Sequence, residues 1–437
     1  MTAATPTFEQ VAPETSAAER RALRSARIRG IGLAILGLLA FKTAMDGLSV
    51  TASFTFWIDK QGGSLFAIDT SVGLLWIIAG VATGAAAVLQ LAKGPSFAWR
   101  LSLLAVVPFW VFATLAMLLA GQPANLTGVI GGTFALAAPI SLGAFAGIIS
   151  ERSGMANIAI EGKLLIGACV ASVAGSLVAM VLGPDNKTLS ILIAIAIAAL
   201  SGAGVSILLA WLGIRWKVDQ ILGGIVINIG AVGITNFLYL RVLSKNTAIN
   251  TPPQIGAMRL PVLADIPVIG PILFNTTPYL YATIIVMLVF TYMLYRTRWG
   301  LRLRACGEKP SAAGTVGIDV IKIRYRAMII AGLMAGAAGS SLSLASAGSF
   351  QIGMSAGRGF IALAAVIFGA WNPLYAFGAA LVFGFADSTQ ALLSILGVDV
   401  PPQLLNSVPY IVTIVVVAGV VGRVRGPAAA GQPYDQG

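Results

Sequence analysis

Histidine is absent from the 437 residues of this sequence, and only two cysteines, Cys169 and Cys306, are present. Without histidine the chain lacks the commonest metal ligand, the usual proton carrier near neutral pH and any Ser-His-Asp triad. It also has no G-x-x-x-x-G-K-[ST] loop for ATP phosphates, no H-E-x-x-H motif and no Cys/His cluster. One cysteine lies in an apolar run and the other in a basic segment, so no disulfide is expected. These absences predict a protein that is not an enzyme and that holds no metal or cofactor.

Charged residues are scarce, at 10% of the sequence, whereas about 25% is usual in soluble domains. Hydrophobic residues make up 57%, more than a soluble core of this size could bury, so the surrounding solvent is predicted to be lipid. The 50 glycines fit this setting, because small residues let helices in lipid approach closely. The net charge of +12 does not indicate nucleic acid as a partner, since lysines and arginines lie mainly at the ends of apolar runs.

Twelve apolar runs resemble membrane-spanning helices, each of which needs about 20 residues. Lys42 interrupts the first run, and the run at 360–370 is too short to cross alone, which predicts half of a broken helix or a re-entrant segment. The sequence therefore predicts an all-α polytopic membrane protein with about 10–12 transmembrane helices. The runs are 28–45, 70–91, 101–120, 126–149, 164–182, 189–212, 220–240, 279–295, 327–347, 360–370, 375–396 and 408–421.

The distribution of positive charge predicts which side of the membrane each loop occupies. With the N-terminus inside, the inside segments hold 21 of the 28 lysines and arginines, which predicts cytoplasmic N- and C-termini. The long segment 241–278 is then outside, and its six prolines are typical of an ordered cap. The basic segment 296–326 is inside, and within it Lys309–Gly317 is predicted to be a short helix with a proline near its start.

Carboxylates interrupt two of the apolar regions. Residues 149–162 place Glu151 and Glu161 between two runs, and an ionised carboxylate inside the membrane costs at least ~3 kcal/mol unless it is paired or faces water. A loop with a helix N-cap and a segment of a solute pathway explain this stretch equally well. Asp387 lies inside another run, on the same helix face as Gln390. A polar clamp between helices and a pathway lining both explain that pair.

The inside segment at 300–319 is rich in arginine, glycine, proline and alanine. Anchoring on the cytoplasmic side explains the arginines well, but it explains the other residues less well. A short surface helix braced by glycines suits docking into a groove of a partner protein.

Three sequence patterns together resemble the membrane permeases of the branched-chain amino acid and simple-sugar ABC importer superfamily. They are SERSG..N...EG...IGA at 150–168, GLRLRA.GE.P.AA...GI at 300–318 and GRGFIALAAVIFG.WNP at 357–373. Within that superfamily they are most similar to nucleoside-type permeases that work with a basic-membrane-protein-like binding lipoprotein. Lys163 disturbs the usual apolar spacing, and Ala370 replaces a basic residue of the family pattern.

The resemblance covers residues 126–425, which form the predicted permease core. Residues 1–27 are then a cytoplasmic N-terminal tail, 28–125 extra transmembrane segments and 426–437 a cytoplasmic C-terminal tail. The resemblance implies ATP-driven import across a bacterial inner (plasma) membrane. The implied partners are a second related permease, cytoplasmic ATP-binding subunits and an extracytoplasmic solute-binding lipoprotein. The residues implied to couple the permease to the ATPase are Arg302, Arg304, Gly307, Glu308, Pro310, Ala312, Ala313, Gly314 and Gly317.

A pathway for nucleosides needs a few amide or hydroxyl groups and an aromatic or apolar platform. Polar and aromatic residues inside the core meet that description, although helix packing also explains the asparagines. The predicted pathway residues are Asn157, Glu161, Asn228, Asn236, Phe360, Phe385, Asp387 and Gln390.

Other functions stay open on the sequence alone. Nothing in these residues excludes a simple sugar as the solute. An ion-coupled secondary transporter also has broken helices and membrane carboxylates, but here it would depend on Glu161 and Asp387. A passive channel, or a structural subunit without an ATPase, would show the same apolar runs.

Overall fold

Two compact units make up the chain. The smaller comprises Met1–Thr55 and Phe66–Ala124, and the larger comprises Phe56–Leu65 and Asn125–Gly437. The predicted apolar run at 408–421 lies outside the described residues. The computed structural model describes residues 17–57, 64–93, 97–398, 400–401, 403–404, 407 and 425–434.

Thirteen α-helices and five short strands lie in this described part of the chain. The strands form two small sheets, one in the order β2-β1-β3 and one in which β4 pairs antiparallel with β5. The helices are α1 Ala17–Gly47, α2 Val72–Lys93, α3 Phe97–Leu118, α4 Leu126–Arg152, α5 Ile160–Leu182, α6 Lys187–Arg215, α7 Gln220–Leu238, α8 Pro278–Arg296, α9 Arg298–Glu308, α10 Pro310–Thr315, α11 Val320–Ser341, α12 Arg358–Phe368 and α13 Pro373–Ile395. The strands are β1 Thr51–Trp57, β2 Ser64–Ser71, β3 Pro123–Asn125, β4 Met258–Arg259 and β5 Asn275–Thr276.

The predicted apolar runs correspond to helices wherever the structure describes them. Within the described ranges, nine helices are long and apolar enough to cross a membrane. Two further apolar helices are shorter, Pro108–Leu118 within α3 and Arg358–Phe368, which is α12. The all-α polytopic membrane fold is therefore confirmed.

The short run at 360–370 forms α12, a helix of only 11 residues. At 1.5 Å per residue it is roughly 16 Å long, about half of the hydrocarbon core. It follows an irregular stretch at 348–357 and precedes a tight turn at 369–372. The prediction of a broken or re-entrant segment is thus confirmed.

In the smaller unit, α1 and α2 approach most closely at Gly73, where an added Cβ would lie within 3 Å of the Ala44 carbonyl oxygen. Trp76 of α2 meets Trp110 of α3 edge to face, with 5.0 Å between the ring centroids. The Trp110 indole N–H donates to Thr83 Oγ1 at 2.8 Å, which satisfies its polar group. Small residues and an aromatic pair, of which Trp110 has its indole hydrogen bonded, therefore hold these three helices together.

The core of the larger unit lies around α4 and α11, whose residues are mostly buried. α6 crosses α11 at glycines, and their backbones touch there. An added Cβ on Gly202 would overlap the Gly332 carbonyl oxygen, and one on Gly336 would overlap the Ala198 carbonyl oxygen. Helix packing in lipid depends on such close approach, because no hydrophobic effect drives the helices together.

We expect Gly202→Ala to destabilise the protein by roughly 1–3 kcal/mol, because the new methyl group pushes α6 from α11. The matched control is Gly204→Ala on the same helix, where no atom lies within 4 Å of an added Cβ. That control should be neutral or slightly stabilising, since alanine favours helix over glycine by up to ~1 kcal/mol. Thermal melting of the purified protein in detergent measures both, and equal melting temperatures would contradict the packing assignment.

Candidate functional site

Two non-helical segments interrupt the core of the larger unit. Residues 153–159 separate α4 from α5, and residues 348–357 precede α12. The first turn of α5 lies beside Gly143 and Gly147 of α4, more than a turn away from the end of α4. Irregular backbone inside a membrane is tolerated only where protein or a water-filled cavity satisfies its polar groups. The two segments must therefore obtain their hydrogen bonds from buried side chains.

Glu161, in the first turn of α5, supplies hydrogen bonds to the second segment and to the start of α12. Its carboxylate accepts hydrogen bonds from Ser355 Oγ at 2.7 Å, the Gly357 amide at 2.9 Å and the Gly359 amide at 2.6 Å. Hydrogen bonds to an ionised group are roughly twice as strong as neutral ones, and a negative charge is favoured at the N-terminus of a helix such as α12. Glu161 is buried and accepts from two backbone amides at the start of α12, so it anchors that helix.

Asn157 and Lys163 form a second buried polar pair beside this anchor. The Lys163 ammonium donates to Asn157 Oδ1 at 2.5 Å, and both side chains are completely buried. Asn157 Nδ2 has no hydrogen-bond partner within the described ranges. Lys163 is one of the 21 lysines and arginines counted for the inside segments, and the structure shows it fully buried in the first turn of α5. Charge counting concerns the side of the membrane and not depth, so the burial of Lys163 was not predicted.

The two predicted asparagines of α7 differ in their surroundings. Asn228 Oδ1 accepts from the Gly162 amide at 2.8 Å, and Asn228 Nδ2 donates to the Ile158 carbonyl at 3.0 Å. Asn228 therefore completes the hydrogen bonding of the first interrupted segment. Asn236 lies two turns further along α7, and its buried Oδ1 accepts no hydrogen bond from the described residues.

Asp387 forms an ion pair with Arg358, the first residue of α12. Asp387 Oδ2 lies 3.5 Å from Arg358 Nε, and both side chains are mostly buried. Arg358 was missed as a site residue, although its position between two glycines in an apolar region was visible in the sequence. The structure thus brings Glu161, Arg358 and Asp387 to one end of α12.

The remaining predicted pathway residues differ in their exposure. Phe360 is 49% exposed and projects away from the core. Phe385 and Gln390 are partly buried on α13. Whether any of these side chains lines a solute route stays a prediction.

The inside segment folds into two short helices, α9 and α10. The predicted helix within 309–317 is confirmed as α10, with Pro310 at its first position, whereas α9 was not predicted. Gly307 lies against the backbone of Arg152, at the end of α4, so closely that a Cβ would overlap the Arg152 carbonyl. Arg304 lies over the Tyr295 ring, 5.3 Å from its centroid.

One face of the two helices is exposed and the other is buried. Arg302, Glu308 and Ala312 are exposed, and Ala313 is buried. Gly317 has a φ of +80°, a conformation that glycine adopts without strain, and it ends the segment after α10. Cys306 is buried, and burial raises the pKa of its thiol to about 11. Both cysteines are free, as expected from the sequence.

The C-terminal residues 425–434 pack against the α9–α10 segment. The sequence analysis treated these C-terminal residues as a simple tail. The Ala429 amide donates to the Gly307 carbonyl at 2.8 Å, and the Gly431 amide donates to the Gly154 carbonyl at 3.2 Å. Arg324 of α11 donates to the Gln432 carbonyl at 3.1 Å. Tyr434 lies against Gly314 of α10. The C-terminal residues therefore connect α9, α10, α11 and the turn after α4.

Comparison with known proteins identifies the family. The profile described as branched-chain amino acid transport system / permease component matches residues 130–417. The guanosine ABC transporter permease protein NupQ of Bacillus subtilis is 38% identical over 315 residues, which cover 71% of this chain and 98% of NupQ. The nucleoside ABC transporter permease protein NupC of Lactococcus lactis is 38% identical over 68% of this chain and 93% of NupC.

A third relative, TsgC13 of Haloferax volcanii, is provisionally named as a glucose ABC transporter permease protein. It is 32% identical over 71% of this chain and 98% of its own length. No solved structure matches the chain. The profile match and the three identities agree with the three motifs and with the membrane helices, and on this evidence the chain belongs to the permease-component family of branched-chain amino acid transport systems.

Proposed function

We propose that the chain is the membrane-spanning permease subunit of an ATP-driven ABC importer that carries nucleosides across a bacterial inner membrane. The observation that carries this proposal is the α9–α10 segment, which is exposed on one face, packs against the end of α4 at Gly307 and is hydrogen-bonded to the C-terminal residues. Such a segment suits a partner that pushes on the permease from the cytoplasm.

The exposed face of this segment offers a docking surface for an ATP-binding subunit. Leu301 and Val316 are 62% and 75% exposed although they are apolar, and Arg302 and Lys309 add positive charge beside them. Short helices with apolar anchors dock into grooves of partner proteins. Since the sequence contains no phosphate-binding loop, the energy for transport comes from such a partner.

A continuous set of contacts leads from α9 to α12. Gly307 lies on the backbone of Arg152, whose guanidinium donates to the Trp371 carbonyl at 3.3 Å. The neighbouring Glu151 accepts from the Trp371 indole at 2.5 Å. Trp371 lies in the turn that follows α12. A displacement of α9 is therefore passed through packed and hydrogen-bonded groups to the half-length helix, which supports alternating access.

The relatives support a nucleoside as the solute. Two relatives at 38% identity are named for guanosine and for nucleosides, and the relative named for glucose is 32% identical. A simple sugar is the second candidate, favoured only by that third relative. In this proposal residues 126–425 form the permease core, beside a second related permease. A solute-binding lipoprotein delivers the solute from outside, and residues 28–125 are additional membrane segments.

Reconstitution of the complete importer in proteoliposomes tests the proposal. We expect uptake of guanosine that requires ATP on the side of the ATP-binding subunits and requires the binding lipoprotein. Glucose and ribose should compete weakly. Uptake driven by an ion gradient without the ATPase would support a secondary transporter instead, and flux through the permease without ATP would support a passive channel.

We expect Gly307→Ala to separate ATP hydrolysis from uptake. The new methyl group would overlap the Arg152 carbonyl and shift α9, so uptake per ATP hydrolysed should fall about tenfold, within the usual range of coupling energies. Gly378→Ala is the matched control, because no atom lies within 4 Å of an added Cβ there. Unchanged uptake per ATP in the Gly307 variant would contradict the coupling role.

Variants of Asp387 and Arg358 distinguish two roles for this ion pair: a structural clamp between helices and a lining of the solute route. Asp387→Asn leaves a mostly buried guanidinium without its counter-charge, which should cost about 3 kcal/mol and lower the melting temperature. Adding Arg358→Gln removes that charge and should restore most of the stability. If the pair lines the route, uptake by the double variant stays low, whereas full recovery of uptake would assign the pair to a structural clamp.

A further inference from the structure

A polar cavity of about 610 Å³ lies where α7 ends and where the segment before α12 begins. None of its residues is among the predicted pathway residues. α7 runs into an irregular turn at Tyr239–Leu243, which forms one wall with the chain that follows it. Residues 349–352 form the opposite wall. The lining residues are Tyr239, Leu243, Ser244, Thr247, Asn250, Thr251, Ser349, Phe350, Gln351 and Ile352.

The lining is polar but carries no formal charge. Seven of the ten described lining residues have a hydroxyl or an amide, and none of the ten is aspartate, glutamate, lysine or arginine. Hydroxyls and amides exchange hydrogen bonds with a neutral polar molecule. Half of these residues are exposed to solvent, so a phosphate or carboxylate bound there would exchange part of its hydration for neutral donors without gaining an ion pair. The cavity therefore favours uncharged polar solutes.

The wall that carries Tyr239 gives the cavity a surface for a flat ring. Tyr239 is partly exposed, and its ring rests at 61° against the fully buried Phe350 ring, with 6.3 Å between the centroids. Phe350 is held by Asn250, which accepts from the Phe350 amide at 2.8 Å and donates to the Phe350 carbonyl at 3.0 Å. Ser172 of α5 donates to the same Asn250 oxygen at 2.7 Å. This wall is preorganised, so little ordering is needed when a ligand binds.

The cavity connects directly to the anchor of α12. Its wall at 349–352 is followed along the chain by Ser355 and Gly357, both of which donate to the Glu161 carboxylate. A molecule in the cavity thus touches the chain that positions the half-length helix. Binding here would act on the chain that precedes α12, whereas the contacts from α9 reach the turn that follows α12.

From this geometry we infer that the cavity is an entry site that binds an uncharged solute with a flat ring and several hydroxyls, a nucleoside rather than its phosphate. The inference rests on the proposed function for the identity of the solute. It adds a binding site on this chain and a reason for selectivity against phosphorylated nucleosides, namely the absence of a cation in the lining.

Protection of introduced cysteines tests the inference in the assembled importer without the binding lipoprotein. Thr247→Cys and Gln351→Cys place thiols on exposed residues of the two walls. A methanethiosulfonate reagent should modify both. The unaltered chain is the blank, because Cys169 and Cys306 are buried. Thr188→Cys, an exposed threonine at the start of α6 outside the cavity, is the matched control.

Guanosine at about ten times its half-protecting concentration should slow modification roughly tenfold at both cavity cysteines. Guanosine monophosphate at the same concentration should not protect them, and Thr188→Cys should react equally fast in all conditions. Adding Gln351→Ala to Thr247→Cys should raise the half-protecting concentration about five- to tenfold, the loss expected for one hydrogen bond.

Three outcomes would overturn the inference: no protection at either cavity cysteine, equal protection by guanosine monophosphate, or equal protection at Thr188→Cys. Uptake of guanosine by the complete importer is measured in parallel. ATP-dependent uptake without protection rejects the cavity and leaves the proposed function standing. Protection without ATP-dependent uptake supports the cavity and rejects the proposed function.

Discussion

The larger unit depends on one constraint: backbone that leaves the helical conformation inside a membrane must find its hydrogen bonds within the protein. The Glu161 carboxylate contributes by accepting from the Ser355 hydroxyl and the Gly357 amide of the segment that leads into α12 and from the Gly359 amide in the first turn of α12. Asn228 contributes for the segment that leads into α5, with one bond to Gly162 and one to Ile158. Because these side chains bond to backbone groups, both segments can leave the helical conformation in the core.

The same arrangement explains why α12 is short and why charged residues surround it. Its first residue, Arg358, pairs with Asp387, and its N-terminal amides are directed at Glu161. A charge inside the membrane is costly unless it is paired or bonded, and each of these charges has such a partner. The other end of α12 runs into a turn at Trp371, where Glu151 and Arg152 bind the indole and the carbonyl. Polar side chains thus hold α12 at both ends.

Sequence patterns were sufficient for the apolar helices and for α10, but not for the basic helix α9 or for these contacts. Apolar runs report burial or lipid contact over about 20 residues, so they located the helices and the half-length α12. Glu161 and Asp387 were recognised because a carboxylate in an apolar region is unusual. Their partners could not be recognised, since Ser355 lies almost 200 positions from Glu161 and no local pattern links them. The pairing of Arg358 with Asp387 could not be recognised for the same reason. The C-terminal residues were interpreted as a tail because their hydrogen bonds use backbone groups. Every residue type has these groups, so the sequence does not reveal such bonds.

The two ends of α12 lead to two different surfaces. From its N-terminal end the chain leads back to the uncharged cavity beside α7, through residues that Glu161 holds. From its C-terminal end, contacts lead through Trp371 and Arg152 to α9 and the C-terminal residues. A rigid helix of 11 residues transmits a shift with little loss, whereas the irregular segments beside it can change conformation. In the proposed coupling, α12 would move as one body, with Glu161 keeping its bonds while the cavity wall and the Trp371 turn rearrange.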